Sequence, residues 1–373
     1  MSARRRGAYW PDGGQEFLLR AALLSGTDAV QAWHDLRPHF NADRADRASR
    51  RIFPLLDANL RRHGIDDPIM AELTPVRQHA ASKNRALFDA ARTLLRVLED
   101  AGISTLLLKG GAVAARLYRD VGLRPMADVD VVVPTDRAWS ALEVLRRAGW
   151  SPRVAITPAF LRMQHAADVF AEGASVKCDL HWHVYWECCQ PDADADLWAS
   201  SLPLDFEGVP TRTLGPADQL LHVCVHGSRR ARRPQLLWVA DALLLLREGG
   251  IDWSRLLAQA VRRRFVLRAG AMLTYLQRAF GAPVPEDVLG RFEALPTSRL
   301  ERLEYWVGNR PQGLLGELPS YWCNYRRLRE GWPTETRPGF PRYLQQTWRV
   351  QSFRDVGWSA LARAGKRVRT AFR

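Results

Sequence analysis

Lysine is scarce in this chain of 373 residues, which contains only Lys83, Lys109, Lys177 and Lys366. Arginine therefore carries nearly all the positive charge behind the formal net charge of +14. Residues 301–373 hold fourteen Arg or Lys against six Asp or Glu, a net +8. A basic segment of this kind suits nucleic acid, a membrane surface or an acidic partner, and charge alone does not choose among them.

Cysteine and long apolar runs are also scarce. The five cysteines form no C-x-x-C pair, and their odd number argues against a secreted disulfide framework. Arg20 interrupts the apolar segment near the N-terminus, so no secretory signal is recognised. The longest apolar stretch, LLWVADALLLL at 236–246, is too short for a transmembrane segment and contains Asp241. The expected location is cytoplasmic.

The spacing of apolar residues changes along the chain and predicts four regions. Apolar residues recur at helical spacing up to residue 101, and short apolar runs alternate with helical stretches between 102 and 190. Helical spacing returns after Pro191, whereas 310–345 lacks clear periodicity and is predicted to be irregular. The prediction is an α+β protein with a helical region at 1–101, a small mixed-sheet core at 102–190, a helical bundle at 191–300 and a basic tail at 301–373. The tail is predicted to end in an amphipathic helix.

Two carboxylates stand one residue apart in the predicted strand ADVDVVV. Residues i and i+2 of a strand project to the same face, so Asp128 and Asp130 point together and Val129 and Val131 point the other way. Two neighbouring carboxylates repel each other unless a cation lies between them, and Mg²⁺ favours such oxygen ligands. The alternative is that one Asp caps a turn and the other pairs with an arginine such as Arg124.

A glycine pair precedes this strand. In LLLKGG, Gly110 and Gly111 follow a predicted strand and open a predicted helix, where backbone N–H groups can approach phosphate, and Lys109 adds a positive charge. The pattern is neither a Walker A loop nor a G-x-G-x-x-G fingerprint. An ordinary strand-to-helix turn is the alternative.

A third carboxylate lies in VKCDLHWHV, where strand alternation places Asp179, His181 and His183 on one face. Asp179 is a candidate to complete a three-acid site. A transition-metal site formed by the two histidines with Asp179 is an alternative, and a solvated polar face is another.

A predicted helix, PADQLLHVCVHG, carries Asp218, His222 and His226 at i, i+4 and i+8, so the three share a face. They are candidates to contact a bound ligand. The alternative is that they pair with Asp241 or with arginines and only join the bundle. The adjoining HGSRRARRPQ is a candidate phosphate-contacting loop, although a solvated basic loop is favoured.

The stretch LLLKGGAVAARLY through DVDVVV, with the later DLHWHV, resembles the uncharacterised nucleotidyltransferase family of the polymerase-β-like superfamily. The resemblance covers roughly residues 45–285. It implies that Gly110 and Gly111 lie at the phosphates, that Asp128 and Asp130 are metal ligands, and that Asp179 is the third acid. Lys109 and Arg124 also fit the family pattern, and one or the other would offset charge on the leaving pyrophosphate. With this resemblance, Asp218, His222 and His226 become candidates to contact the nucleotide base, the phosphates or the acceptor.

The resemblance also implies a reaction. A nucleoside monophosphate passes from an NTP to an acceptor hydroxyl by a two-Mg²⁺ mechanism, with Mg²⁺ or Mn²⁺ as cofactor, and pyrophosphate is released. The first ion would bridge the triphosphate to Asp128 and Asp130, and the second would lie near Asp179. The acceptor is unknown. Two other functions stay open: a non-catalytic nucleotide-binding protein, and a nucleic-acid or membrane-surface adaptor that uses the basic tail.

Overall fold

A mixed β-sheet forms the centre of the computed structural model, which describes residues 9–173, 176–229, 235–310, 317–332, 337–348, 350, 352 and 354–357. Its strands run in the order β3-β4-β5-β2-β1-β7-β6, with β1 parallel to β7, β2 parallel to β5, and the other neighbours antiparallel. The strands are β1 Leu106–Leu108, β2 Val129–Val132, β3 Trp150–Pro152, β4 Ala166–Ala171, β5 Lys177–His181, β6 Leu202–Phe206 and β7 Val209–Thr213.

Helices precede, interrupt and follow the sheet. Before it lie α1 Gly13–Leu23, α2 Gly26–Leu36, α3 Arg47–Arg50, α4 Phe53–Arg62 and α5 Met70–Asp100. Between strands lie α6 Lys109–Leu117, α7 Ala138–Arg147, α8 Pro158–Met163 and α9 Ala195–Ala199. After it come α10 Pro216–Gly227, α11 Leu237–Glu248, α12 Trp253–Arg262, α13 Val266–Phe280, α14 Glu286–Ala294, α15 Arg299–Gly308, α16 Leu318–Gly331 and α17 Phe340–Trp348. The predicted α+β class, a mixed sheet flanked by helical regions, is confirmed.

The two faces of the sheet belong to different cores. Val129 and Val131 of β2 pack with the apolar faces of α5 and α7. Leu106, Leu108 and Val132 pack in a second core that contains α1, α4 and α10–α13. Because side chains alternate along a strand, Asp130 lies on the same side of β2 as Val132 and faces the second core.

A hairpin beyond residue 190 differs from the helical prediction for that stretch. β6 and β7 pair through the two-residue loop Glu207–Gly208, with Gly208 at φ +77°, and β7 joins the sheet beside β1. Pro203 and Pro210 made both strands hard to predict from the sequence, because proline lacks the backbone N–H that donates a hydrogen bond to a neighbouring strand. β6 is an edge strand and β7 meets β1 only at residues 212 and 213, so both prolines are tolerated.

Residues 310–345, predicted to be irregular, contain α16 and the start of α17. α16 and α17 pack together through Tyr325, Leu328, Tyr343 and Leu344, so that part of the prediction was wrong. Dense Trp, Tyr and Arg hid the helical spacing, because these side chains bury apolar bodies while exposing polar tips. No helix within the described ranges has the length and apolar character needed to cross a membrane.

Candidate active site

Two parallel strands bring two of the predicted acids together. β2 and β5 pair with Asp130 opposite Asp179 and Val131 opposite Leu180. Val131 and Leu180 enter the core against α5, so both carboxylates project to the opposite face, as the two-residue alternation predicted. Asp128 precedes β2 at the same edge of the sheet.

His181 lies between these carboxylates. Its Nε2 is 3.0 Å from Oδ1 of Asp130 and 3.1 Å from Oδ2 of Asp179. In the part of the chain that the structure describes, one ligand atom from each of the three residues lies within 4.8 Å of the other two. Carboxylate oxygens suit Mg²⁺ or Mn²⁺ and imidazole suits later transition metals, so the donor set fits a divalent cation without selecting one.

Lys109 supplies a positive charge to the same acids. β1 ends at Leu108 and α6 begins at Lys109, whose φ of +41° is unusual for a residue with a side chain. The turn directs Nζ onto Oδ1 of Asp130, with which it forms an ion pair. The predicted phosphate-binding lysine therefore contacts the predicted metal ligand directly.

Asp128 has a different partner. Its Oδ2 is 2.9 Å from Nζ of Lys177, which also bonds Asp168 on β4. Asp128 stands outside the group formed by Asp130, Asp179 and His181. Asp128 and Asp130 thus share a strand face, but each is neutralised by its own lysine.

The pKa values reflect these contacts. Burial alone would raise the pKa of Asp130, but Lys109 and His181 hold it well below its usual range. Burial likewise opposes ionisation of Asp179, and His181 lowers its pKa. Burial and the nearby Asp130 raise the pKa of Asp128. Although burial disfavours the imidazolium, the carboxylates of Asp179 and Asp130 raise the pKa of His181 to about 8.

Gly110 makes room for Arg124. A Cβ at position 110 would lie 2.2 Å from Nη1 of Arg124. That guanidinium donates from Nε and Nη2 to the two oxygens of Asp241 on α11, at 2.8 and 2.6 Å, and Tyr118 donates to Asp241 at 2.9 Å. Arg124 therefore pairs with Asp241 and not with the acids of β2. At Gly111 a Cβ would meet Val129 at 3.0 Å.

A cleft of about 390 Å³ opens over these residues, which is within the size range of small-ligand sites. Four acids and four bases line it: Asp128, Asp130, Asp179, Asp241, Arg51, Lys109, Arg124 and Arg229. Gly110 also lies on its wall, at the start of α6. The N-terminus of α6 thus faces a space lined by both carboxylates and basic side chains. Carboxylates suit a metal ion, and basic side chains and a helix N-terminus suit phosphate groups.

The trio on α10 does not form one polar site. Asp218 pairs with Arg255 of α12 at 2.8 Å and accepts from Ser200, so it joins elements of the bundle. His226 lines the cleft, and burial with nearby Lys109 lowers its pKa. His222 is buried beside the ring of Tyr185, and neither ring nitrogen bonds to any described residue.

His183 lies beyond the end of β5, which is shorter than predicted. Its Nδ1 is 3.3 Å from Oδ2 of Asp194, away from the cluster. A metal site that uses both His181 and His183 is therefore not formed in this arrangement.

Three further residues at the cleft escaped sequence reasoning. His165 has its ring 5.0 Å from that of His181, and burial lowers its pKa. Arg51 and Trp238 complete the wall. No local motif marks these residues. Lys177 also contacts the acids, and the scarcity of lysine could have pointed to it: of the four lysines in this arginine-rich chain, Lys109 pairs with Asp130 and Lys177 pairs with Asp128.

Two predicted features lie largely outside the described residues. Residues 230–234 of HGSRRARRPQ and residues 358–373 of the predicted tail helix are in this group. Arg229, at the edge of the first, lines the cleft.

Comparison with known proteins identifies a family. The sequence pattern of a family described as "uncharacterised nucleotidyltransferase" matches residues 44–281, more than half of the chain. A comparison with curated proteins gave no match. Among solved structures, the chain is similar to an antigenic nucleotidyltransferase-like protein from Paracoccidioides brasiliensis, with 15% identity and a TM-score of 0.36, over 57% of this chain and 94% of that one. It is also similar to the antibiotic-resistance factor ANT(2'')-Ia, with 13% identity and a TM-score of 0.34, over 52% of this chain and 94% of the other.

Proposed function

The chain belongs to the uncharacterised nucleotidyltransferase family, and on that premise we propose that it transfers a nucleoside monophosphate from an NTP to an acceptor hydroxyl. The observation that carries the proposal is the group of Asp130, Asp179 and His181, whose two carboxylates lie in a cleft that also contains four basic side chains. The group supports cation binding, and the basic side chains of the cleft support binding of a polyphosphate.

Asp130 and Asp179 are the proposed ligands of a divalent cation, Mg²⁺ or Mn²⁺, with Asp128 beside them. When bound, the cation neutralises phosphate charge and lowers the pKa of the attacking hydroxyl. His181 fixes the orientation of both carboxylates through its two contacts at 3.0 and 3.1 Å. Because His181 is fully buried and contacts both carboxylates, we assign it a positioning role.

The basic groups of the cleft would hold the triphosphate. We propose that Lys109, Arg51 and Arg229 offset its charge and that the backbone at Gly110 and Gly111 approaches it. Arg124 would add positive charge from a position that its two hydrogen bonds with Asp241 hold fixed. His226 lies on the wall where a nucleotide would contact α10, whereas His222 is packed behind that wall.

The proposed reaction breaks one P–O bond and forms another. The acceptor oxygen attacks the α-phosphorus, the bond from that phosphorus to the α–β bridging oxygen breaks, and pyrophosphate leaves with the electron pair. Asp179, whose lowered pKa keeps it ionised, is placed to take the hydroxyl proton.

The bond that is cleaved tests this proposal. Purified protein is incubated with α-labelled ATP, GTP, CTP or UTP, Mg²⁺ and concentrated glycerol as a surrogate hydroxyl. The proposal requires NMP, free or joined to glycerol, together with pyrophosphate, and requires loss of at least ~100-fold in Asp130→Asn. The control is Asp136→Asn, at an exposed position just after β2. NDP and phosphate as products, or NTP binding without cleavage, would reject it.

A further inference from the structure

A second cavity adjoins the cleft. This side chamber has a volume of about 360 Å³, and its walls include Trp186, Glu187, Tyr321 and Asn324. His165 and Arg229 line both cavities, so the chamber begins where the cleft ends. A molecule in the chamber would therefore lie beside a nucleotide held over Asp130 and Asp179.

Unpaired polar atoms surround the chamber. Oδ1 of Asn324 is an acceptor and Nε2 of Gln164 is a donor, and neither buried atom has a hydrogen-bond partner among the described residues. Oε2 of Glu187 and Nη2 of Arg229 form only a long ion pair of 3.6 Å, and Nε of Arg229 has no acceptor within the described ranges. Buried polar groups normally have partners, so a concentration of exceptions around one cavity points to a ligand.

The mixture of donors and acceptors limits the chemistry of that ligand. A hydroxyl both donates and accepts, whereas a carboxylate only accepts and an ammonium only donates. Most wall charges are also paired within the protein: Glu187 accepts from Arg268 at 2.7 Å and lies 3.6 Å from Arg229, and Glu304 pairs with Arg327. A ligand with a net positive or a net negative charge would therefore gain little electrostatic binding energy from these walls.

The size and the aromatic walls favour a small ring. The chamber has the volume of a small-molecule site and lies against α15 and α16. The rings of Trp186 and Tyr321 stand at 90° with centroids 5.9 Å apart, so they present apolar surface in two directions. The near-neutral walls lack the excess of positive charge by which proteins bind nucleic acid.

We infer that the acceptor is a neutral, polyhydroxylated small molecule of the sugar or cyclitol class, bound in the side chamber with one hydroxyl directed past His165 into the cleft. The inference rests on the proposed function, because it supplies that reaction with its hydroxyl.

Transfer of label from α-labelled NTP to three probe sets tests the inference. The sets are neutral sugars and cyclitols (glucose, sucrose, myo-inositol), their charged analogues (gluconate, glucosamine), and an oligoribonucleotide with a free 3'-hydroxyl. The expected result is transfer to at least one neutral probe, at least ~10-fold faster than to any charged analogue. Preference for a charged probe or for the oligoribonucleotide would overturn the inference, as would no transfer to any neutral probe.

A substitution that fills the side chamber gives a second test of the inference. Ser320 lines the chamber but not the cleft. Ser320→Trp is expected to raise the KM of the neutral probe at least ~10-fold while Mg²⁺-dependent binding of an NTP analogue changes less than twofold. Ser151→Trp, on exposed edge strand β3, is the control. An unchanged KM in Ser320→Trp overturns the inference alone, whereas absence of NTP binding in the wild type overturns the proposed function and the inference with it.

Discussion

Replacement of Gly110 by alanine should destabilise the protein by displacing Arg124. The new Cβ would lie 2.2 Å from Nη1, whereas ordinary contacts begin near 3.4 Å, so the guanidinium must retreat by about 1 Å. An arginine tip is usually free to move, but this one is 8% exposed and makes two hydrogen bonds with Asp241.

The expected size follows from the bonds that are disturbed. Loss of one charge-assisted bond costs about 1.5–3 kcal/mol, and alanine in place of glycine returns up to about 1 kcal/mol of helix propensity. A net loss of roughly 1–2 kcal/mol in the free energy of unfolding is expected in urea denaturation. Gly290→Ala is the control: this exposed glycine of α14 has nothing within 4 Å of its added Cβ and should gain a few tenths to 1 kcal/mol.

A double-mutant cycle tests the cause. Arg124→Lys keeps the positive charge but removes the planar group that meets position 110. If the clash is the mechanism, Gly110→Ala should cost at least ~1 kcal/mol less in the Arg124→Lys background than in the wild type. An equal cost in both backgrounds would refute the assignment.

Three further predictions concern other parts of the molecule. Arg268 and Arg229 lower the pKa of buried Glu187 to about 2 against the opposing effect of burial, so its stabilisation is present above pH ~4.5 and is lost as pH falls toward 2. The free energy of unfolding should fall by roughly 3 kcal/mol over that pH range. A Glu187→Gln variant whose free energy of unfolding falls as steeply with pH as that of the wild type would contradict this. Burial raises the pKa of Cys188 and Cys224 to about 12. Because only the thiolate reacts, these two residues should be alkylated ~1000-fold more slowly at pH 8 in the folded protein than in the unfolded protein. Comparable alkylation rates in the two states would show that the thiols are exposed. Asp218→Asn should cost about 3 kcal/mol because Arg255 loses its carboxylate partner, and it should leave NTP affinity unchanged. The control, Asp252→Asn at the exposed N-cap of α12, should cost no more than about 0.5 kcal/mol, because Asn caps a helix about as well as Asp. A change in NTP affinity for Asp218→Asn would show that Asp218 belongs to the nucleotide site.

Local patterns were enough to predict which way several cleft residues point. Strand alternation placed Asp128 with Asp130 and Asp179 with His181, and the Gly-Gly pair identified the start of α6, whereas the pairing of β2 with β5 is what brings Asp130 opposite Asp179. These features depend on neighbours in sequence, where the two-residue strand period determines orientation.

Contacts between distant residues were not predictable in this way. Arg124 and Asp241 are 117 residues apart in sequence, and they meet only in the folded chain. The separation of Asp128 from the other acids depends on Lys177, whose position follows from strand pairing. His165 and the side chamber depend on α8, α15 and α16, which no motif links.

Binding of a non-hydrolysable NTP analogue, measured by calorimetry with and without Mg²⁺, tests the central claim most directly. We expect binding that requires Mg²⁺, falls at least ~10-fold in Asp130→Asn and is unchanged in Asp136→Asn. Analogue binding that is indifferent to both Mg²⁺ and Asp130→Asn, in protein that remains folded, would contradict the account.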